Sequence, residues 1–368
     1  MSVFATPAAT LRGRRALFIH NWRCAGSTIN SLLSSNFGDK YIKVGTQFTH
    51  NGWPDYAIPE LLSIDKVRHK TDSCAILGGH ICSGVESFFG GSWDVWVNAR
   101  NPCDRLSSGI LRFHANKFRL AAGAYTPQQA KALAHQRLIE LIDGPLQHEA
   151  NGMAKRLAGF AASEIIDLNS KSDLEKISCF VTRVSDDDLL RAALFQMERV
   201  KVVILSKYLH AALISIERMY SIGPVLNLFS SLRHNQMALG APSDKEIALF
   251  ELAKPMLNKI SCIDFQLWEA LKIKFQSQIN VAKVTKREVL TREVIHKRPI
   301  LPPQVLDRQI ADDKLVELIS SSLAEVAAQH KELSRDVVTL ACKWERFSPD
   351  AAAEIKCRAL HILRLSPS

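Results

Sequence analysis

A strand that breaks into a small-residue turn and reopens at once as a helix occurs twice in this chain. The first instance runs Phe18-Ile19-His20-Asn21-Trp22-Arg23-Cys24-Ala25-Gly26-Ser27-Thr28. The second runs Val95-Trp96-Val97-Asn98-Ala99-Arg100-Asn101-Pro102-Cys103-Asp104-Arg105-Leu106-Ser107-Ser108. Strands followed directly by helices cannot pair as hairpins, and they favour parallel strands joined by crossovers. Apolar runs at Ala16–His20, Tyr41–Val44, Cys74–His80, Trp93–Asn98 and Val200–Leu205 are the candidate strands. Helical spacing covers Pro102–Phe113 and Pro127–Ile142. The expected class is α/β, a central, mostly parallel sheet flanked by helices.

The first turn has the chemistry of an anion site. A helix starting at Ser27 or Thr28 leaves its first N–H groups without intrahelical acceptors, and the aligned peptide dipoles add partial positive charge there. Ala25 and Gly26 keep side chains out of the way, so backbone can approach an oxyanion closely. Ser27 and Thr28 supply hydroxyls that either cap the helix or donate to the ligand. Ile29, Leu32 and Leu33 recur at helical spacing, with Asn36 and Gly38 as a stop. An ordinary strand-to-helix turn with a Ser/Thr cap has the same composition.

The second turn is more specific. Asn101 suits the N-cap and Pro102 the first helical position, which places Arg100 at the carboxyl end of its strand, where open α/β sheets bind ligands. Ser108 follows about two turns into the helix and can offer its hydroxyl to an anion gripped by the planar fork of Arg100.

In this order and separation the two segments resemble the sulfotransferase superfamily, specifically the carbohydrate type that uses 3′-phosphoadenosine 5′-phosphosulfate (PAPS) as sulfuryl donor. Trp22-Arg23-Cys24-Ala25-Gly26-Ser27 occupies the place of the Pro-Lys-Thr-Ala-Gly-Thr-like loop that binds the 5′-phosphosulfate. Arg100 to Ser108 is similar to the Arg-Asp/Asn-Pro-x-x-Arg-x-x-Ser segment that binds the 3′-phosphate. Ala75-Ile76-Leu77-Gly78-Gly79-His80 resembles the segment that delivers a histidine base in glycan 2-O-sulfotransferase-like members. Asn151 to Gly159 is similar to the family's Asn-x-x-x-x-x-Leu-x-Gly helix, and Val200–Leu205, the helix after Lys207 and Cys262 to Trp268 follow its later pattern. The resemblance covers roughly residues 14 to 275 and implies a P-loop-like fold.

The resemblance implies a nucleotide site of Arg23, Cys24, Ala25, Gly26, Ser27, Thr28, Arg100 and Ser108, with His80 as general base and Arg23 stabilising the departing phosphate. No metal is implied. The family usually has lysine where Arg23 stands; arginine keeps the charge but is wider than a compact ammonium. Trp22 replaces the customary proline and either stacks on a ligand or packs into the protein. His20, His50, His114 and Glu86 are competing bases. A kinase-like enzyme is a rival reading, although the chain has no Gly-x-x-x-x-Gly-Lys-Ser/Thr. A non-catalytic binding or scaffold protein is the other rival.

Composition fits these readings without selecting among them. With 368 residues, 47% hydrophobic and 23% charged, the chain can bury a large core. A net charge of +10 suits anionic partners such as a multiply charged nucleotide, anionic glycans, nucleic acid or a membrane surface, while no zinc-finger spacing or long basic block points to a specific nucleic acid partner; a carbohydrate hydroxyl as acceptor is implied by the resemblance alone. No long apolar run precedes Ala16, which argues against a signal peptide or membrane span and for a cytoplasmic enzyme. The eight cysteines include no Cys-x-x-Cys pair. Cys24, at a helix start beside Arg23, is expected to have a depressed pKa and to react readily.

The expected organisation is a tail over 1–13, an α/β domain over 14–279, a basic Pro-containing linker over 280–303 and a helical extension over 304–368. In the extension Leu315, Ile319, Leu323 and Val326 form one apolar face and Val337, Leu340, Ala341 and Trp344 another. A third helix is expected from Ser348-Pro349 through Leu363. Such helices either dock on the main domain, join protomers or bind a partner. Val44–Pro59, Phe118–Thr126 and Arg233–Gln236 are expected as loops around the site.

Overall fold

The computed structural model describes residues 11, 13–37, 40–44, 74–79, 81–84, 86, 92–113, some of 128–140, 150–159, 185–226, 254–296 and 312–345. Five strands form one sheet: β1 (Arg15–Ile19), β2 (Tyr41–Val44), β3 (Ile76–Gly79), β4 (Trp93–Ala99) and β5 (Val200–Leu205). Their order is β2-β3-β1-β4-β5, and every pairing is parallel. The expected strands lie within two residues of those observed, and the α/β class with a parallel sheet is the architecture found.

β1 sits at the centre because it is apolar on both faces. Ala16, Leu17, Phe18 and Ile19 are all fully buried, as a parallel strand covered by helices on each side requires. From β1 the chain runs outward to β2 and back to β3, whereas from β4 it runs the other way to β5. Adjacent strands whose continuations diverge leave a crevice beyond their carboxyl ends. That crevice lies between the ends of β1 and β4, where both turns sit.

Helix α1 (Gly26–Phe37) follows β1, and α2 (Pro102–Phe113) follows β4. Pro102 opens α2 as expected, with Asn101 as cap: the Asp104 N–H donates to Asn101 Oδ1 at 3.3 Å. α1 buries Ile29, Leu32, Leu33 and Phe37. α1 ends at Phe37, between Asn36 and Gly38 as expected, and Asn36 is also a tie: its amide donates to Leu32 O and Leu226 O and accepts from the Leu226 N–H. Next come α3 (Gly152–Ala158), α4 (Asp186–Arg199), α5 (Leu209–Tyr220) and α6 (Cys262–Val281).

The basic stretch expected as a linker carries a helix, α7 (Lys286–His296). Its net charge conceals an inward face of Thr291, Arg292, Val294, Ile295 and His296. Arg292 turns its guanidinium onto Glu217 of α5, with Nη1–Oε1 and Nη2–Oε2 both at 2.8 Å, and donates to Val225 O at 2.7 Å. α8 (Asp312–Gln329) buries Ile319, Leu323 and Val326 of its expected apolar face, and α9 (Ser334–Glu345) buries Val337 of the other. Residues of Pro127–Ile142 that are described are helical. Val44–Pro59 beyond its first residue, Phe118–Thr126, Arg233–Gln236 and Ser348–Leu363 lie outside the described residues. No described helix is long and apolar enough to cross a membrane.

Candidate functional site

The first turn is held in an unusual backbone conformation. Arg23 and Ala25 have φ of 59° and 61°, the left-handed region that side chains other than glycine rarely occupy. Each such residue costs on the order of 1–3 kcal/mol, so the surroundings must over-determine it. They do so through β4 and the residue after it. Asn98, fully buried, accepts from the Asn21 N–H at 2.6 Å and donates to Cys24 O at 2.7 Å, while Arg100 Nη1 donates to Arg23 O at 3.5 Å. The Cys24 N–H closes the turn onto Asn21 O.

The turn delivers the chain into α1 one residue earlier than expected, at Gly26. Ala25 O accepts from the Ile29 N–H at 3.1 Å, so the N–H groups of Gly26, Ser27 and Thr28 precede the first intrahelical bond and lie at the positive end of the helix dipole. Gly26 is needed for space: a Cβ there would lie 1.7 Å from Cδ2 and Nε2 of His20. The His20 ring fills that gap, stacks parallel to Phe18, and has Nδ1 3.3 Å from Asn30 Nδ2. Tyr41 on β2 donates to Asn30 Oδ1 at 2.6 Å. His20, a competing base, is therefore packed beneath the helix start.

Arg23 crosses to the second turn. Its Nη2 and Nε donate to Ser108 Oγ at 2.6 and 3.1 Å, so the cation of one segment rests on the serine of the other. Arg23, Arg100 and Ser108 are thus assembled in one place from segments 85 residues apart. Trp22 packs on the same helix: a Cβ on Gly109 would lie 2.3 Å from its ring, so the indole covers α2.

Cys24 departs from expectation. It is fully buried, and burial pushes its thiol up to about 12 against the opposing pull of Arg105 and Arg100. The helix-start cation effect loses to desolvation, and the expected reactive thiol is instead an inert one. Its backbone N–H and C=O both hold the turn, which makes Cys24 a support of the loop.

His80 lies outside the described residues, as do His50 and His114. The segment around it is anchored on both sides. Gly79 O accepts from the His20 N–H at 2.7 Å, and the Ser83 N–H donates to Arg156 O of α3 at 3.0 Å. Gly159, which ends α3 with φ 45°, permits this approach, because a Cβ there would lie 2.2 Å from Ser83 O. Glu86 is ion-paired with Arg199 and accepts from the Gly84 N–H at 2.8 Å, so this carboxylate fastens the segment to the end of α4.

Asn98 was not among the expected site residues, yet it connects the two turns. A buried asparagine in an otherwise apolar strand, Val95-Trp96-Val97-Asn98-Ala99, is the signal that marks it. No protein-family model matches the chain, and no curated protein or solved structure matches it.

Proposed function

We propose that this chain is a sulfuryl transferase that moves the sulfuryl group of PAPS to a carbohydrate hydroxyl. The observation that carries the reading is the convergence of Arg23, Ser108 and Arg100 at the β1/β4 crevice, beside the helix N-terminus at Gly26–Thr28. Two separated anions, a 5′-phosphosulfate and a 3′-phosphate, match two adjacent cationic turns. The N–H groups of α1 take the first, and Arg100 with Ser108 takes the second.

The reaction is an in-line displacement at sulfur. The acceptor oxygen forms a bond to sulfur, the bond from sulfur to the bridging oxygen of the 5′-phosphate breaks, and the phosphate leaves with the electron pair. The acceptor proton passes to His80. Arg23 and the helix N-terminus meet the charge that grows on the phosphate, which is catalysis by positioning and electrostatics. Arg23 shifts from Ser108 toward the leaving phosphate as the donor seats. A carrier that binds the nucleotide without turnover is the second reading, and the two hydrogen bonds that hold Arg23 on Ser108 Oγ favour it.

Calorimetric titration with adenosine 3′,5′-bisphosphate, against ATP with magnesium, tests the binding half. Labelled-sulfate transfer from PAPS to oligosaccharides tests turnover, with His80→Ala and Arg23→Ala expected to lower it by about 100-fold or more. Absence of bisphosphate binding removes the proposal, and binding without transfer selects the carrier.

A further inference from the structure

Asn151 and Asp264 cap each other's helices. The side-chain oxygen of Asn151, the residue before α3, accepts from the Ile263 and Asp264 N–H groups at the start of α6, at 3.1 and 3.2 Å. The carboxylate of Asp264 in turn accepts from the first turn of α3, from Ala154 N–H at 2.8 Å and Met153 N–H at 3.2 Å. Each residue satisfies donors that a helix N-terminus leaves over.

A third helix joins them. Arg105, the second arginine of the Arg100-to-Ser108 segment, places Nη2 3.1 Å from Asp264 Oδ2, with the pair almost wholly buried. Arg105 lies on α2 between the two residues assigned to the 3′-phosphate, five after Arg100 and three before Ser108. Cys103, two residues before Arg105, adds a second tie, its thiol donating to Asn258 Oδ1 at 2.7 Å just ahead of α6. Arg105 and Asp264 also reach Cys24 electrostatically, so the junction lies behind the first turn.

We propose that Arg105, Asp264 and Asn151 are positioning residues that hold α2 in register, so that Arg100 and Ser108 recognise a 3′-phosphate without any of the three touching it. The inference rests on the nucleotide reading of the site. It gives a role to the Asn151-to-Gly159 and Cys262-to-Trp268 segments, which the reaction itself does not use. Buried ion pairs add little net stability but are costly to break singly, and they act as registry devices where several elements meet.

The test separates register from field. Arg105→Met with Asp264→Asn removes one positive and one negative charge, leaving the net charge of the site unchanged. Calorimetry with adenosine 3′,5′-bisphosphate and adenosine 5′-monophosphate is then compared with that of the unaltered protein. The variant is expected to lose about tenfold in bisphosphate affinity while monophosphate affinity stays within about twofold.

Asn151→Gly, which keeps the left-handed backbone at φ 53° and removes only the capping amide, is expected to move the ratio the same way by about threefold. It decides the matter if the double variant does not fold. A folded variant that keeps the full preference for the bisphosphate overturns the positioning role and leaves the nucleotide reading standing. An unaltered protein that binds neither nucleotide overturns both.

Discussion

Asn21 donates twice to Asn98, from backbone and from side chain, across the ends of β1 and β4. The Asn21 N–H donates to Asn98 Oδ1 at 2.6 Å, and the Asn21 side-chain amide donates to Asn98 O at 2.6 Å. With the further bond from Asn98 to Cys24 O, one buried side chain completes the sheet and fixes the turn that leaves it. Replacing it with an apolar residue orphans the Asn21 N–H and Cys24 O. Asn98→Leu is expected to cost roughly 2–4 kcal/mol, read by urea denaturation, because each abandoned buried group carries a penalty of about 1–3 kcal/mol.

Gly26 and His20 specify each other. A methyl group at Gly26 meets the His20 ring at 1.7 Å, so Gly26→Ala must displace the ring or the first turn of α1. Overpacking of this kind costs about 1–3 kcal/mol. In a His20→Ala background the same change is expected to cost less than half as much. A double-mutant cycle on thermal unfolding reads the coupling, and additive losses would show that the ring and the glycine are independent.

The Cys24 thiol is expected to resist alkylation in the native protein. Its pKa near 12 leaves almost no thiolate at pH 8, and full burial denies access. Iodoacetamide followed by peptide mass mapping is expected to label exposed Cys262 first, with Cys24 labelled only after unfolding. Early labelling of Cys24 would mean that the turn opens.

Docking of α7 is expected to weaken in acid. The His210 and His296 rings meet edge to face, 5.0 Å between centroids, with Glu293 beside His210 and the Arg292–Glu217 pair one turn back. Burial is the first cause holding both imidazoles below their ordinary value, and Arg292 adds to it while Glu293 opposes it at His210. The unfolded chain therefore binds more protons below about pH 6.5, so stability rises with pH through that window and falls on acidification. Protection factors of the α7 amides, with the intrinsic pH dependence of exchange divided out, are expected to fall from about pH 6.5 downward, and His296→Phe to flatten that dependence.

Much of this architecture is legible in the chain because its signals are local. Tyr41–Val44, Val200–Leu205 and Pro102–Phe113 have their observed bounds, since apolar runs, a proline at the first helical position and an asparagine cap act within a few residues. Arg100 and Ser108 stand out for the same reason. What the sequence conceals is partnership at distance. Arg105 meets Asp264 159 positions away, and Arg292 folds a basic stretch onto Glu217 75 positions away, so composition alone reads it as a linker. Cys24 misleads because the electrostatics of a helix start are local whereas its burial is decided by the whole fold.

The central place of β1 also governs the order in which this protein can assemble. β1 pairs on one side with β3 and on the other with β4, Leu17 lying opposite both Leu77 and Val95. Such long loops must close before their contacts stabilise anything, which makes parallel sheets slow to form. The crevice comes into being only when β4 zips onto β1, at the same moment that Asn98 reaches Asn21. On the proposed function, a nucleotide that spans both turns would act as a clasp on the β1–β4 pairing.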